Sequence, residues 1–225
     1  MELLLDTADL EAIRKYNDYY NIIGVTTNPT ILSRAGTPFP ASCEAIKKII
    51  GDEKQLHIQV STHICDEMLK EAEAIASRFG KDTYIKVPVI EEGVKAMKLL
   101  KEAGYRVTAT AVVSVQQAFL AGSAGADYVA LYVNRMESLN IDAFDAIARI
   151  RNIFDYQGIQ TKIVGASFKN TQQILRVYEM GAEAVTVVPE LLSTMCNNVI
   201  VDAWVDNFEK DWVGLYGDRR IYELD

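Results

Sequence analysis

The chain has 225 residues, 49% apolar and 24% charged, with a formal net charge of −8. No apolar run reaches the roughly 18 residues of a membrane span, and the acidic surplus argues against a nucleic-acid surface, so neither a membrane nor nucleic acid is expected as a partner. Cys43, Cys65 and Cys196 are odd in number and far apart, and Met1-Glu2-Leu3-Leu4-Leu5-Asp6 lacks a basic segment and a cleavage site, so reduced thiols and a cytoplasmic location are expected, with no disulfide framework and no metal site.

Short apolar strands alternate with amphipathic helices along the whole chain. The strands are predicted over Glu2–Asp6, Ile22–Thr27, Leu56–Val60, Thr83–Val89, Tyr105–Ala111, Asp127–Val133, Gln160–Ser167 and Ala182–Val188. The helices are predicted over Thr7–Tyr19, Ala41–Ile50, Cys65–Phe79, Glu91–Ala103, Ser114–Ala124, Ala143–Phe154 and Asn170–Met180. Thr7 with Asp9 and Glu11 predicts the cap of the first helix. Glycine recurs between helix and strand at Gly104, Gly125 and Gly181, where a left-handed residue can end each helix. Eight such units of this size predict an α/β fold, a single (β/α)8 TIM barrel spanning 1–225, with no linker or second composition regime. Beyond the eighth strand, Val201, Trp204, Val205, Phe208 and Trp212 fall at helical spacing. This apolar stripe in the 201–225 extension either covers one end of its own barrel or packs on a neighbouring subunit.

Tyr84-Ile85-Lys86-Val87-Pro88-Val89 places one lysine in an apolar, β-branched strand. Burial disfavours the ammonium and leaves free amine near neutral pH, and a free amine attacks carbonyls. On that stretch alone the structural alternative weighs more: a strand-end lysine whose stem is buried and whose head reaches water. The other strand ends shift the balance. Period-two alternation puts Asp6, Gln59, Lys86, Thr110 and Tyr132 on one face of their strands, extending Leu4, His57, Tyr84, Thr108 and Ala130, while Leu3, Leu5, Ile58, Val60, Ile85, Val87, Val129 and Leu131 form the helix-covered face. Thr26 and Asn28 end the second strand and Ser167 the seventh. In a closed parallel barrel these carboxyl ends surround one cavity. Singly each has a structural explanation: Asp6 as a cap, Thr26 and Asn28 in a turn before Pro29, Tyr132 bonded to a carbonyl. Arg135, Ser167 and Lys169 add donors suited to a phosphate. His57 reads as an inward core residue, and no glycine-rich dinucleotide fingerprint, metal set or nucleophilic serine elbow is present, so no cofactor is expected.

The segments Leu5-Asp6-Thr7, Gly24-Val25-Thr26-Thr27-Asn28-Pro29, Ile85-Lys86-Val87-Pro88, Thr110-Ala111, Tyr132-Val133-Asn134-Arg135 and Ala166-Ser167-Phe168-Lys169 resemble the small transaldolase family, most closely its fructose-6-phosphate aldolase branch. The resemblance implies a class I aldolase, a carbon–carbon lyase acting on sugar phosphates, with Lys86 as Schiff-base lysine. It further implies a homo-oligomer, typically a decamer of two pentamers, in which the last helix reaches a neighbour. Gln59 and Tyr132 match the aldolase branch, where transaldolases generally carry glutamate and phenylalanine. By the same resemblance Asp6 orients or deprotonates donor hydroxyls, Gln59 and Thr110 hold a water for Tyr132, Asn28 with Thr26 serves the donor, and Arg135, Ser167 and Lys169 hold the phosphate. Three departures from the family pattern stand out: Met136-Glu137-Ser138-Leu139-Asn140-Ile141 lacks the usual glycine-rich loop, Leu131 stands where the aldolases often have proline, and Thr108 where they often have an apolar residue. A transaldolase moving dihydroxyacetone is the nearest alternative; a sugar-phosphate-binding barrel without turnover and a structural shell protein are further ones.

Overall fold

A computed structural model describes residues 1–224. Eight strands, β1 (Glu2–Asp6), β2 (Ile22–Thr26), β3 (Gln55–Gln59), β4 (Tyr84–Pro88), β5 (Arg106–Val112), β6 (Tyr128–Tyr132), β7 (Lys162–Ala166) and β8 (Ala184–Val187), pair in chain order. All pairings are parallel, and β8 returns to β1 to close the barrel. The helices are α1 (Leu10–Tyr19), α2 (Pro29–Ala35), α3 (Phe39–Ile50), α4 (Cys65–Phe79), α5 (Glu91–Glu102), α6 (Val115–Ser123), α7 (Val133–Ser138), α8 (Ala143–Gln157), α9 (Thr171–Glu179), α10 (Pro189–Cys196) and α11 (Val199–Tyr216), before a 3-10 turn at Ile221–Glu223.

All eight predicted strands form, within one or two residues of their expected ends. Three short helices were not predicted: α2, α7 and α10. Two of them, α2 and α10, begin at a proline, whose missing N–H and fixed φ suit the first helical position. The first helix starts later than expected because Asp9, not Thr7, is its cap: Asp9 Oδ1 accepts from Glu11 N at 2.9 Å and Ala12 N at 3.1 Å. Thr7 Oγ1 instead accepts from Asp9 N at 3.1 Å. Gly104, Gly125 and Gly181 take φ of 79°, 84° and 95° at the helix-to-strand corners, as their recurrence predicts.

Alternation divides the strand residues into two shells. Leu5, Val25, Ile58, Ile85, Val87, Val107, Val129, Leu131, Ile163 and Val185 join the helices in the outer hydrophobic layer. Each aliphatic side chain so buried contributes roughly 1.5–3 kcal/mol. The inward shell is smaller and holds Leu4, Tyr128, Ala130, Val164 and Ala184. At Gly24 in β2 a Cβ would lie 2.3 Å from the Gln55 carbonyl oxygen, so only glycine permits β2 and β3 to approach this closely. β5 carries an irregularity between Ala109 and Val112, where Ala111 adopts φ 58°. No residue of α11 is buried. No helix among the described residues is long and apolar enough to cross a membrane.

Candidate active site

A cavity of about 480 Å³ opens at the carboxyl ends of the strands, a size suited to a small ligand. Asp6, Thr26, Asn28, Gln59, Lys86, Tyr132, Arg135, Ser167 and Lys169 all line it. Thr110 is the exception among the predicted residues. It is fully buried and stands behind the wall, its hydroxyl 3.0 Å from that of Tyr132. It reaches the cavity through that phenol.

Lys86 is 5% exposed, and its Nζ donates to the Thr27 carbonyl at 2.8 Å. Burial holds its ammonium below the ordinary lysine value, while the Asp6 charge pulls it back upward. Burial also raises the Asp6 carboxyl above its ordinary value, against Lys86 and the hydrogen bond from Thr26. Thr26 Oγ1 donates to Asp6 Oδ1 at 2.7 Å and lies 2.6 Å from Thr186 Oγ1. With Thr26's one hydroxyl proton given to Asp6, Thr186 supplies the proton of the second bond. Burial favours the unprotonated amine, the form of a lysine that can add to a carbonyl.

The segment after β2 explains Asn28. Its Oδ1 accepts from Ile31 N at 3.0 Å and caps α2. The oxygen is committed to the helix, so the part of the amide left for a ligand is the NH2 group. The same helix brings Arg34 to the cavity edge. Arg34 is not among the residues predicted from sequence, because no helix is predicted directly after Asn28; an Asn cap followed by proline is the signal that reveals one.

On the opposite side, Arg135 lies 5.6 Å from the Tyr132 ring centroid, in cation–π range. Ser167 holds φ 61°, a left-handed conformation unfavourable for a residue with a Cβ, and its carbonyl accepts from Asn134 N at 3.0 Å. The glycine-free stretch after Arg135 is helical through Ser138, and Asn140 takes the φ of 58° that a glycine would otherwise supply. Gln59 Oε1 is buried without a hydrogen-bond partner. A native protein rarely leaves an acceptor so.

The floor of the cavity is more polar than the barrel interior requires. His57, Thr108 and Tyr128 line it, each 1–2% exposed. Burial and then the charge of Lys86 keep His57 well below the ordinary histidine value, so it is neutral. Its inward core placement was expected; its contact with the cavity was not.

A parallel eight-stranded barrel with its polar side chains gathered at the carboxyl ends of the strands is the architecture of a barrel enzyme. Residues 3–218 match the family described as Transaldolase/Fructose-6-phosphate aldolase. A probable fructose-6-phosphate aldolase of Streptococcus pneumoniae is 39% identical over 98% of this chain and 100% of that one. A probable transaldolase of Clostridioides difficile is 34% identical over 95% of this chain and 98% of that one. The chain belongs to the transaldolase/fructose-6-phosphate aldolase family and is an enzyme of that class. Among solved structures, native KDPGal shares the fold with TM-score 0.60 and 12% identity, over 83% of this chain and 82% of that one. A designed cube-shaped cage of fused oligomeric domains gives TM-score 0.61 and 12% identity over 84% of this chain and 63% of that one.

Proposed function

We propose that the protein is a class I aldolase that cleaves and forms fructose 6-phosphate, from dihydroxyacetone and glyceraldehyde 3-phosphate, through a Schiff base on Lys86. The Lys86 amine adds to the C2 carbonyl; the carbinolamine loses water and leaves an iminium. Tyr132, through a water held by Gln59 and backed by Thr110, takes the proton of the C4 hydroxyl. The C3–C4 bond breaks, its electron pair flows into the iminium, and the aldehyde departs. The remaining enamine takes a proton at C3 and is hydrolysed, which frees the ketone and the amine. Asp6 and the Asn28 NH2 group hold the C3 hydroxyl beside Thr26, while Arg135, Ser167 and Lys169 hold the phosphate.

The observation that carries the aldolase reading over transfer is the Tyr132 hydroxyl, backed by Thr110 at 3.0 Å, on the same cavity as the partnerless Gln59 Oε1. An orphaned acceptor beside a phenol is suited to a bound water, and that pair can protonate the enamine carbon. Transfer requires the enamine to survive until a second aldehyde arrives. The test is incubation with fructose 6-phosphate alone and then with erythrose 4-phosphate added. Glyceraldehyde 3-phosphate released without acceptor is the expected result; release only with acceptor makes the protein a transaldolase.

The same reading makes 1–225 one barrel domain whose α11 packs on a neighbouring copy in a decamer of two pentamers. In support, Trp204 and Phe208 on α11 are 56% and 68% exposed, with Val199, Ile200 and Val205 also uncovered. It also places the protein in the cytoplasm, where free thiols at Cys43, Cys65 and Cys196 stay reduced. Light scattering on the purified protein checks the assembly: a monomer in solution would overturn it.

A further inference from the structure

The floor of the cavity carries a hydrogen-bond chain whose direction is fixed from one end. Glu2 is the anchor: its carboxylate pairs with the Lys162 ammonium and accepts from Tyr128 Oη at 2.7 Å. An ionised carboxylate only accepts, so the single phenolic proton of Tyr128 goes to Glu2. Tyr128 Oη must then accept from Gln55 Nε2, 3.3 Å away. That turns Gln55 Oε1 toward His57 Nε2 at 2.9 Å, and an amide oxygen there requires Nε2 to carry the ring proton. A neutral imidazole with its proton on Nε2 has a bare Nδ1. Thr108 Oγ1 lies 2.9 Å from Nδ1 and must donate to it. The proton of Thr108 is spent within the protein. What its oxygen presents to the cavity is lone pairs.

We infer that Thr108 is a specificity residue of the ketone-donor site, where its oxygen accepts a hydrogen bond from the C1 hydroxyl of the donor. The inference rests on the Schiff-base reading of Lys86. Lys86 and Thr108 are Cα partners on neighbouring strands, so both side chains enter the barrel at the same level. The acid–base phenol Tyr132 ends β6, and the phosphate cations Arg135 and Lys169 follow β6 and β7, all at the mouth. With the cleaved bond directed toward them, the non-reacting C1 arm of the imine points to the floor. A donor with a methyl group in that place leaves the Thr108 oxygen buried and unpaired, while a hydroxymethyl group satisfies it. Discrimination by a site built to bond a hydroxyl is strong because the penalty falls on the protein when the hydroxyl is missing. His57, Gln55 and Tyr128 act through Thr108 and are positioning residues.

The probe is a pair of donors that react at the same hydroxylated carbon and differ only in the other arm: dihydroxyacetone and hydroxyacetone, each condensed with glyceraldehyde 3-phosphate. The native protein is expected to favour dihydroxyacetone by about tenfold or more in kcat/KM. Thr108→Val, which keeps the shape and removes the oxygen, should collapse that ratio by about tenfold, chiefly through KM for dihydroxyacetone. Thr108→Ser should retain it, and Thr108→Ala carries the same prediction as Thr108→Val should the valine variant not fold. Equal use of both donors by the native protein, or a ratio unmoved by loss of the hydroxyl, overturns the inference. Borohydride trapping separates the two levels. An adduct on Lys86 with an unmoved ratio sinks the Thr108 assignment alone; no adduct from either ketone sinks the Schiff-base reading and this inference with it. The imidazole nitrogen-15 spectrum of His57 gives a second readout, with Nε2 protonated and Nδ1 bare. A proton on Nδ1 would reverse the chain and end the argument.

Discussion

The two ends of the barrel interior treat polar groups in opposite ways. At the amino ends of the strands every charge described above has an assigned partner. Asp127, just before β6, accepts from Val107 N and from Lys101 Nζ of α5, each at 2.7 Å. Glu183, just before β8, repeats the arrangement, accepting from Ile163 N at 2.8 Å and pairing with Arg151 of α8, whose Nε is nonetheless buried without a partner of its own. Each carboxylate ties a strand to the helix that precedes its neighbour. The carboxyl ends hold a different set: a buried lysine bonded to a backbone carbonyl, a buried amide oxygen without partner, a serine at φ 61° and the cations Arg34, Arg135 and Lys169. Satisfied polar groups stabilise the fold, and unsatisfied ones are free to act on a ligand. The same barrel therefore has an end that holds it together and an end that is poised for chemistry.

That contrast can be broken from the mouth downward. Lys86→Met should abolish borohydride-trapped substrate and lower cleavage more than about a thousandfold, since the cavity's other lysine, Lys169, is exposed and lacks the burial that favours a free amine; a trapped adduct on the variant would remove Lys86 from its role. Tyr132→Phe should lower aldol cleavage about a hundredfold while transfer to erythrose 4-phosphate suffers less. Cleavage at the native rate would show that the phenol moves no proton. Arg135→Ala is expected to raise KM for glyceraldehyde 3-phosphate about tenfold to a hundredfold and to leave unphosphorylated glyceraldehyde nearly unaffected. Equal losses for both aldehydes would detach Arg135 from the phosphate.

Two smaller effects sharpen the comparison. The Asp6 charge raises the Lys86 value, so Asp6→Asn should move the pH profile of imine trapping to lower pH, on top of any loss of rate. The sign is the test: the profile rises as the amine loses its proton, and a shift to higher pH would mean that the two groups are not coupled as described. At the opposite end, Asp127→Ala should cost about 1–3 kcal/mol and lower the melting temperature by several degrees with cleavage retained. Lost activity in a folded Asp127→Ala protein would contradict the division between the two ends.

How much of this was legible in the sequence depends on range. Local patterns carried the strands, most helices, the glycine corners and nine of the cavity-lining residues: alternation with period two put Asp6, Gln59, Lys86 and Tyr132 on the inward face, and position at or just after a strand's carboxyl end gave Thr26, Asn28, Arg135, Ser167 and Lys169. Thr110 was assigned to the right face but stands behind Tyr132, since residues on one face of neighbouring strands can still lie at different depths. The helix from Pro29 to Ala35 was missed because seven residues give too little periodicity to read. The sequence by itself therefore determined the alternation, the barrel and the inward lysine, all of which follow from neighbouring residues and repeat count. Only the tertiary structure decided the direction of the chain from Glu2 to Thr108, because its five members come from four different strands and a proton's placement depends on every partner it meets.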